Sequence, residues 1–187
     1  MKSQIPNSKF QKNVLLKNYT TFRIGGKAEY FFVAKNKEDL IRAISVAKKI
    51  NPSPFPKGDR VKLPFFVLGG GSNLLVSDKG FNGLIIKTQN TKYKIQNTKI
   101  MAEAGVMLGE LVNVSAKAGL SGLEWAAGIP GTVGGAIRGN AGAFGSSMKN
   151  IVKKVEAFDV KTQKIKIFRG LASEDWSFPQ GEGCFLF

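Results

Sequence analysis

Two glycine-rich stretches hold the residue types and spacings that point most directly to chemistry in this chain. The first reads Leu68-Gly69-Gly70-Gly71-Ser72-Asn73-Leu74-Leu75. The second reads Gly122-Leu123-Glu124-Trp125-Ala126-Ala127-Gly128-Ile129-Pro130-Gly131-Thr132-Val133-Gly134-Gly135-Ala136, followed by Gly139-Asn140-Ala141-Gly142-Ala143-Phe144-Gly145. Without a Cβ, glycine lets the main chain approach a ligand closely, and successive backbone N–H groups can then hold anionic oxygens. Two such stretches, each following an apolar segment, suit one extended ligand laid against bare backbone.

In the first stretch, Gly69, Gly70 and Gly71 read as an amide cradle for a diphosphate, with Ser72 and Asn73 as side-chain partners. The alternative is a tight strand-to-strand turn. In the second, Pro130 fixes one backbone angle. Gly131, Gly134 and Gly135 keep a surface clear, so that a flat aromatic ring can lie on it. The alternative is close packing of a short helix on a sheet. Trp125 and Phe144 either flank such a ring or belong to the core. Glu124 and Arg138 either pair with each other or meet a ligand, and an internal ion pair is the expected arrangement.

Neither stretch is a standard nucleotide fingerprint. The spacing Gly-x-Gly-x-x-Gly would need glycine where Leu74 stands, and no Gly-x-x-x-x-Gly-Lys-Ser/Thr run occurs. The chain has no histidine, which excludes Ser-His-Asp and Cys-His catalysis and histidine-based zinc sites within it. The 13 acidic residues show no clustered spacing, so no metal site is expected and no catalytic residue is assigned. Difficult chemistry here would fall to a cofactor.

The formal net charge is +15. That favours anionic partners, nucleic acid among them. Only five of the basic residues are arginines, the usual forks for base readout, and the lysines form no dense block. Nucleic acid is therefore not expected. A single cysteine, Cys184, rules out an intramolecular disulfide and fits a reducing cytoplasm. Met1 to Asn18 has no apolar signal region. No apolar run is long enough to span a membrane.

The elements that must position these stretches follow from pattern. Residues 1–16 read as a loosely held leader. Glu29 to Ala34 reads as a strand. Asn36 caps a helix with Asp39 as its capping-box partner, and Leu40, Ile41, Ile44, Ala47 and Ile50 form its apolar face. A proline-rich loop, 51–64, follows. Pro64 to Leu68 is a short buried strand running into the first glycine loop, and Leu74 to Val76 and Leu84 to Lys87 continue strand character. Tyr93 to Ile95 and Ile100 to Glu103 form a hairpin around Asn97. Leu108 to Ala118 is a second helix closed by Gly119. Val155 to Val160 and Lys164 to Phe168 form a last hairpin turning at Thr162-Gln163.

Four blocks occur in one order: Asn18-Tyr-Thr-Thr-Phe-Arg-Ile-Gly-Gly26, Leu68 to Leu75, Gly122 to Ala136, and Asn140-Ala-Gly-Ala-Phe-Gly145. Together they resemble the UDP-N-acetylenolpyruvoylglucosamine reductase family over residues 17–170. The resemblance implies an α+β fold of two subdomains, 17–90 and 91–170, that hold FAD between them, as in vanillyl-alcohol-oxidase-like (PCMH) flavoproteins. It implies a reductase of peptidoglycan precursor synthesis in which NADPH reduces the flavin and the enolpyruvyl group of a UDP-sugar is reduced in turn. Gly69, Gly70, Gly71, Ser72 and Asn73 would hold the FAD diphosphate. Gly128, Ile129, Pro130, Gly131, Thr132, Gly134, Gly135 and Ala136 would line the flavin and ribityl chain. Thr21, Arg23 and Gly25 would help close the site. The family continues into a Tyr-Arg-x-Ser segment and a substrate domain. Residues 171–187 carry neither, so they read as a divergent tail, and the fragment is expected to lack full activity. The rivals are a flavin-dependent oxidase of the same fold and a basic nucleic-acid-binding module.

Overall fold

The computed structural model describes residues 10–49, 63–169 and 184–186. Residues 1–9, Ile50 and most of the proline-rich loop and of 171–187 lie outside the described residues. The chain divides into two compact units, Met1–Gln89 and Asn90–Phe187.

The first unit is a four-stranded sheet with one covering helix. Its strands are β1 (Phe10–Leu15), β2 (Lys27–Ala34), β3 (Phe65–Leu68) and β4 (Phe81–Thr88), in the spatial order β1-β2-β4-β3. β2 and β3 both run parallel to β4, and β1 is antiparallel to β2. Helix α1 (Lys37–Lys49) connects β2 to β3. Its cap is the one read from sequence. Asn36 Oδ1 accepts from the Asp39 N–H at 2.8 Å, and Asp39 Oδ2 accepts from the Lys35 N–H at 3.3 Å. Leu40, Ala43, Ile44 and Ala47 are buried beneath it.

Phe31, Phe32, Leu84, Ile85 and Ile86 are all buried, the continuous apolar run of strands covered on both faces. Ala28 and Phe31 fall in one cluster with Leu16, Leu68, Val76 and Ile85, and the pairing of β2 with β4 shifts register between Ala28 and Tyr30, where β4 carries the extra residue. Two expectations are corrected. Phe10–Leu15 is an edge strand paired with β2, not part of a loose leader. Leu74–Val76 is no strand. Val76 packs into the cluster under the sheet while Leu75 stays exposed, so this apolar run serves as a covering loop.

The second unit begins with the hairpin β5 (Tyr93–Gln96) and β6 (Lys99–Ala102), turning at Asn97 with φ 51°. Helix α2 (Leu108–Lys117) ends as expected at Gly119, φ +66°. There the Gly119 N–H donates to Ala116 O and the Leu120 N–H to Ser115 O, satisfying two last-turn carbonyls. Then come α3 (Val133–Arg138), the two-residue strands β7 (Gly142–Ala143) and β8 (Ser146–Ser147), and α4 (Met148–Ile151). Strands β9 (Lys154–Asp159) and β10 (Lys164–Arg169) form the last expected hairpin. β11 (Cys184–Leu186) pairs with the other edge of β9, so part of the expected tail belongs to this sheet.

Candidate functional site

The first glycine loop leaves the carboxyl end of β3, in a sheet whose β2, β3 and β4 are parallel. In open sheets of this kind ligands bind outside those ends. Gly71 has φ +68°, and a Cβ there would collide with the Tyr19 carbonyl oxygen. Glycine is therefore required twice over, by backbone angle and by space. The Gly71 carbonyl accepts from the Thr21 N–H at 3.1 Å. Thr20 to Arg23 is a tight turn, closed by the Arg23 N–H donating to Thr20 O at 3.2 Å and by Thr20 Oγ1 donating to Ile24 O at 3.0 Å. Gly25 packs directly on Val76.

The structure thus brings Thr21, Arg23 and Gly25 into one assembly with Gly69–Asn73. Among the described residues, none accepts from the N–H groups of Gly70, Gly71 or Asn73. Gly71 is buried, Gly70 half-buried and Asn73 exposed, so three backbone donors of one five-residue loop are left available to an anion.

Two residues at the end of β4 hold this loop from behind. Thr88 Oγ1 donates to Leu68 O at 3.3 Å, and Lys87 Nζ donates to Gly69 O at 2.7 Å and to Thr88 O at 3.2 Å. Burial holds the Lys87 ammonium below the ordinary lysine pKa. Sequence reasoning did not mark either residue. The signal was a lysine and a threonine closing an otherwise apolar strand.

The second stretch divides into inner and outer parts. Gly131, Thr132, Val133, Gly134 and Ala136 are buried, while Gly128, Pro130 and Gly135 are exposed. A short ladder fixes the inner part. The Leu108 N–H donates to Gly131 O, Val133 N–H to Val106 O, and Gly134 N–H to Ala104 O, at 2.8–2.9 Å. A Cβ on Gly134 would stand 2.7 Å from Ala104 Cβ, so this glycine serves close packing of α3. Thr132 Oγ1 accepts from the Gly135 N–H at the start of α3. Ile129 is half-buried against a cluster containing Trp125 and Ala136. The N–H groups of Gly131 and Thr132 meet no acceptor among the described residues. In the same unit, Asn90 Oδ1 is buried without a partner and sits where a Cβ on Gly105 would reach it.

Trp125 is buried, its Nε1 donating to Gly122 O at 3.0 Å. Glu124 uses its carboxylate on the Gly122 N–H at 2.7 Å, and no ion pair joins it to Arg138 among the described residues. Phe144 is 93% exposed at the tip of the β7–β8 hairpin, where Phe144 and Gly145 both have positive φ. With Gly122, Glu124, Trp125, Ser146 and Ile151 it borders an open cavity of about 520 Å³.

Residues 28–167 match the FAD binding domain family. The chain is 42% identical over 160 residues to the UDP-N-acetylenolpyruvoylglucosamine reductase of Caldanaerobacter subterraneus subsp. tengcongensis, covering 85% of this chain and 49% of that protein. The chain belongs to the FAD binding domain family, and the curated relatives named here are UDP-N-acetylenolpyruvoylglucosamine reductases. The enzyme of that name from Caldicellulosiruptor bescii is 40% identical, with 86% of this chain and 48% of that protein covered. The crystal structure of the Thermus caldophilus reductase superposes with a TM-score of 0.67 at 34% identity, covering 86% of this chain and 53% of that one. A solvent-stable cholesterol oxidase (TM-score 0.62, 15% identity, 90% and 35% covered) and an alkyldihydroxyacetonephosphate synthase (0.64, 16%, 98% and 40%) share the fold. This is the two-subdomain α+β fold of vanillyl-alcohol-oxidase-like flavoproteins. The chain spans about half the length of the curated relatives it matches. Among the described residues no helix is long and apolar enough to cross a membrane.

The residues present fit FAD. The amides of Gly70, Gly71 and Asn73, which meet no acceptor among the described residues, suit a diphosphate, and Gly71 at φ +68° lets the loop pass tightly against the Tyr19 carbonyl. The unpaired Gly131 and Thr132 amides and Asn90 Oδ1 offer donors and an acceptor of the kind a flavin nucleotide uses.

Proposed function

We propose that this chain is the FAD-binding portion of an NADPH-dependent reductase that converts enolpyruvyl UDP-N-acetylglucosamine to UDP-N-acetylmuramate in the cytoplasm. The observation that carries this reading is the first glycine loop, with three amides that meet no acceptor among the described residues and Gly71 held at an angle and a distance that only glycine allows. Gly69 to Asn73 bind the diphosphate. Thr21 fixes the loop through its N–H, and the turn containing Arg23 and Gly25 closes over it. In the second stretch Gly128 to Thr132, Gly135 and Ala136 line the flavin, while Gly134 packs α3 against Ala104. When bound, FAD supplies the hydride chemistry that no side chain of this chain can perform. The net charge of +15 draws in NADPH and the UDP-sugar, both anionic.

No residue here is assigned to proton transfer. The reductases this chain resembles are about twice as long as the matched region. The test loads the chain with FAD, removes the excess, and follows NADPH oxidation with the enolpyruvyl sugar. Flavin should be retained with no turnover above that of free FAD. Full turnover would contradict the assignment of a binding portion alone. Oxygen consumption with a small organic donor, in place of NADPH oxidation, would move the reading to a flavin oxidase.

A further inference from the structure

The geometry points to Lys87 as a positioning residue for diphosphate binding, one that sets the orientation of the Gly69–Gly70 peptide and so presents the Gly70 N–H to the ligand. This rests on the FAD reading above. A trans peptide is planar, with its C=O and N–H on opposite sides. Whatever fixes the Gly69 carbonyl therefore fixes the direction of the Gly70 N–H. Lys87 Nζ sits 2.7 Å from that carbonyl oxygen. A flip of the peptide would bring the Gly69 carbonyl to the ligand side, where its lone pairs repel phosphate. It would also leave a half-buried ammonium with one partner fewer. Glycine on both sides of the peptide makes such a flip easy without an anchor.

The rest of the exit from β3 is held in the same manner. Thr88 Oγ1 donates to the preceding carbonyl, Leu68 O, at 3.3 Å. Consecutive carbonyls are thus gripped by consecutive residues of β4, one from each side of the strand. The register explains why these two can do it. Leu68 pairs with Lys87 in a parallel ladder, which sets the end of β4 beside the start of the loop. Lys87 also carries its charge next to the loop, with no carboxylate among its hydrogen-bond partners in the described residues. The half-buried position makes that charge act on the loop more strongly than a surface lysine would.

The experiment measures FAD dissociation constants and thermal midpoints of the FAD-free chain for wild type, Lys87→Met and Lys87→Arg. Met matches the stem of lysine and suits the half-buried position. It should weaken FAD binding about tenfold or more, in line with the loss of a charge-assisted hydrogen bond. The FAD-free midpoint should stay level or rise, because a desolvated cation has gone. Lys87→Arg, which can still donate to Gly69 O, should recover most of the affinity. Wild-type affinity in Lys87→Met would overturn the proposal. So would a parallel fall in affinity and midpoint, which would mark a general structural role. A wild-type chain that binds no FAD would fail the parent reading itself, and the comparison of variants keeps the two failures apart.

Discussion

Replacing Gly71 with alanine tests the cradle where its geometry is tightest. An L-residue held at φ +68° costs about 1–2 kcal/mol relative to glycine. The new Cβ would also run into the Tyr19 carbonyl oxygen, a backbone atom with no rotamer to turn away. The loop must shift, and the hydrogen bond that breaks first is the one of 3.1 Å from the Thr21 N–H to Gly71 O, worth about 1 kcal/mol. Restoring the native loop for a ligand then costs at least about 2 kcal/mol, a weakening of about 30-fold. The assay is an FAD titration followed by quenching of flavin fluorescence, with circular dichroism to confirm the fold. Gly109→Ala is the control. It lies inside α2, nothing stands within 4 Å of its Cβ position, and alanine is favoured in a helix by about 1 kcal/mol. That variant should keep full affinity and melt no lower than wild type. A folded Gly71→Ala chain with wild-type FAD affinity would refute the reasoning.

Three further outcomes follow from single observations. Gly134→Ala should lower the melting temperature by several degrees, an overpacking cost of about 1–3 kcal/mol, because its Cβ would press on Ala104; differential scanning calorimetry reads it. Phe144→Asn should raise the melting temperature, since asparagine tolerates φ 51° better than an exposed phenylalanine and Asn-Gly suits the tight β7–β8 turn. A simultaneous loss of FAD affinity would show that the strained aromatic contacts ligand. Asp159 pairs with the Lys166 ammonium and accepts from the Lys161 and Thr162 N–H groups, which holds its carboxyl well below the ordinary value of 3.8. Its stabilisation is therefore present above about pH 4 and lost as pH falls below it. In acid denaturation monitored by circular dichroism, Asp159→Asn should show a flatter acid limb than wild type.

Much of the scaffold was legible because its signals are local. Asn36 and Asp39 announce the start of α1 within four residues, and Gly119 announces the end of α2. The first glycine loop was legible for a similar reason: an apolar strand delivers three consecutive glycines. The rest depended on partners distant in sequence. β1 is a polar edge strand with Asn13 at φ 56°, and only its pairing with β2 defines it. Leu74–Val76 has the composition of a strand but finds no neighbouring strand to pair with, and Val76 takes a place in the core instead. In the second stretch the sequence left ring-lining and helix packing open. Gly134 resolves to packing because Ala104, far from it in sequence, lies against it. Lys87 escaped notice because nothing near it in sequence shows that its ammonium reaches back to Gly69.

The central claim is that the glycine loop of this chain holds FAD. The most direct measurement is the visible absorption spectrum of the purified chain before and after incubation with FAD and desalting. The account predicts a retained flavin band, released as FAD on denaturation and reduced in the Gly71→Ala variant. A folded chain that emerges colourless from desalting would contradict it.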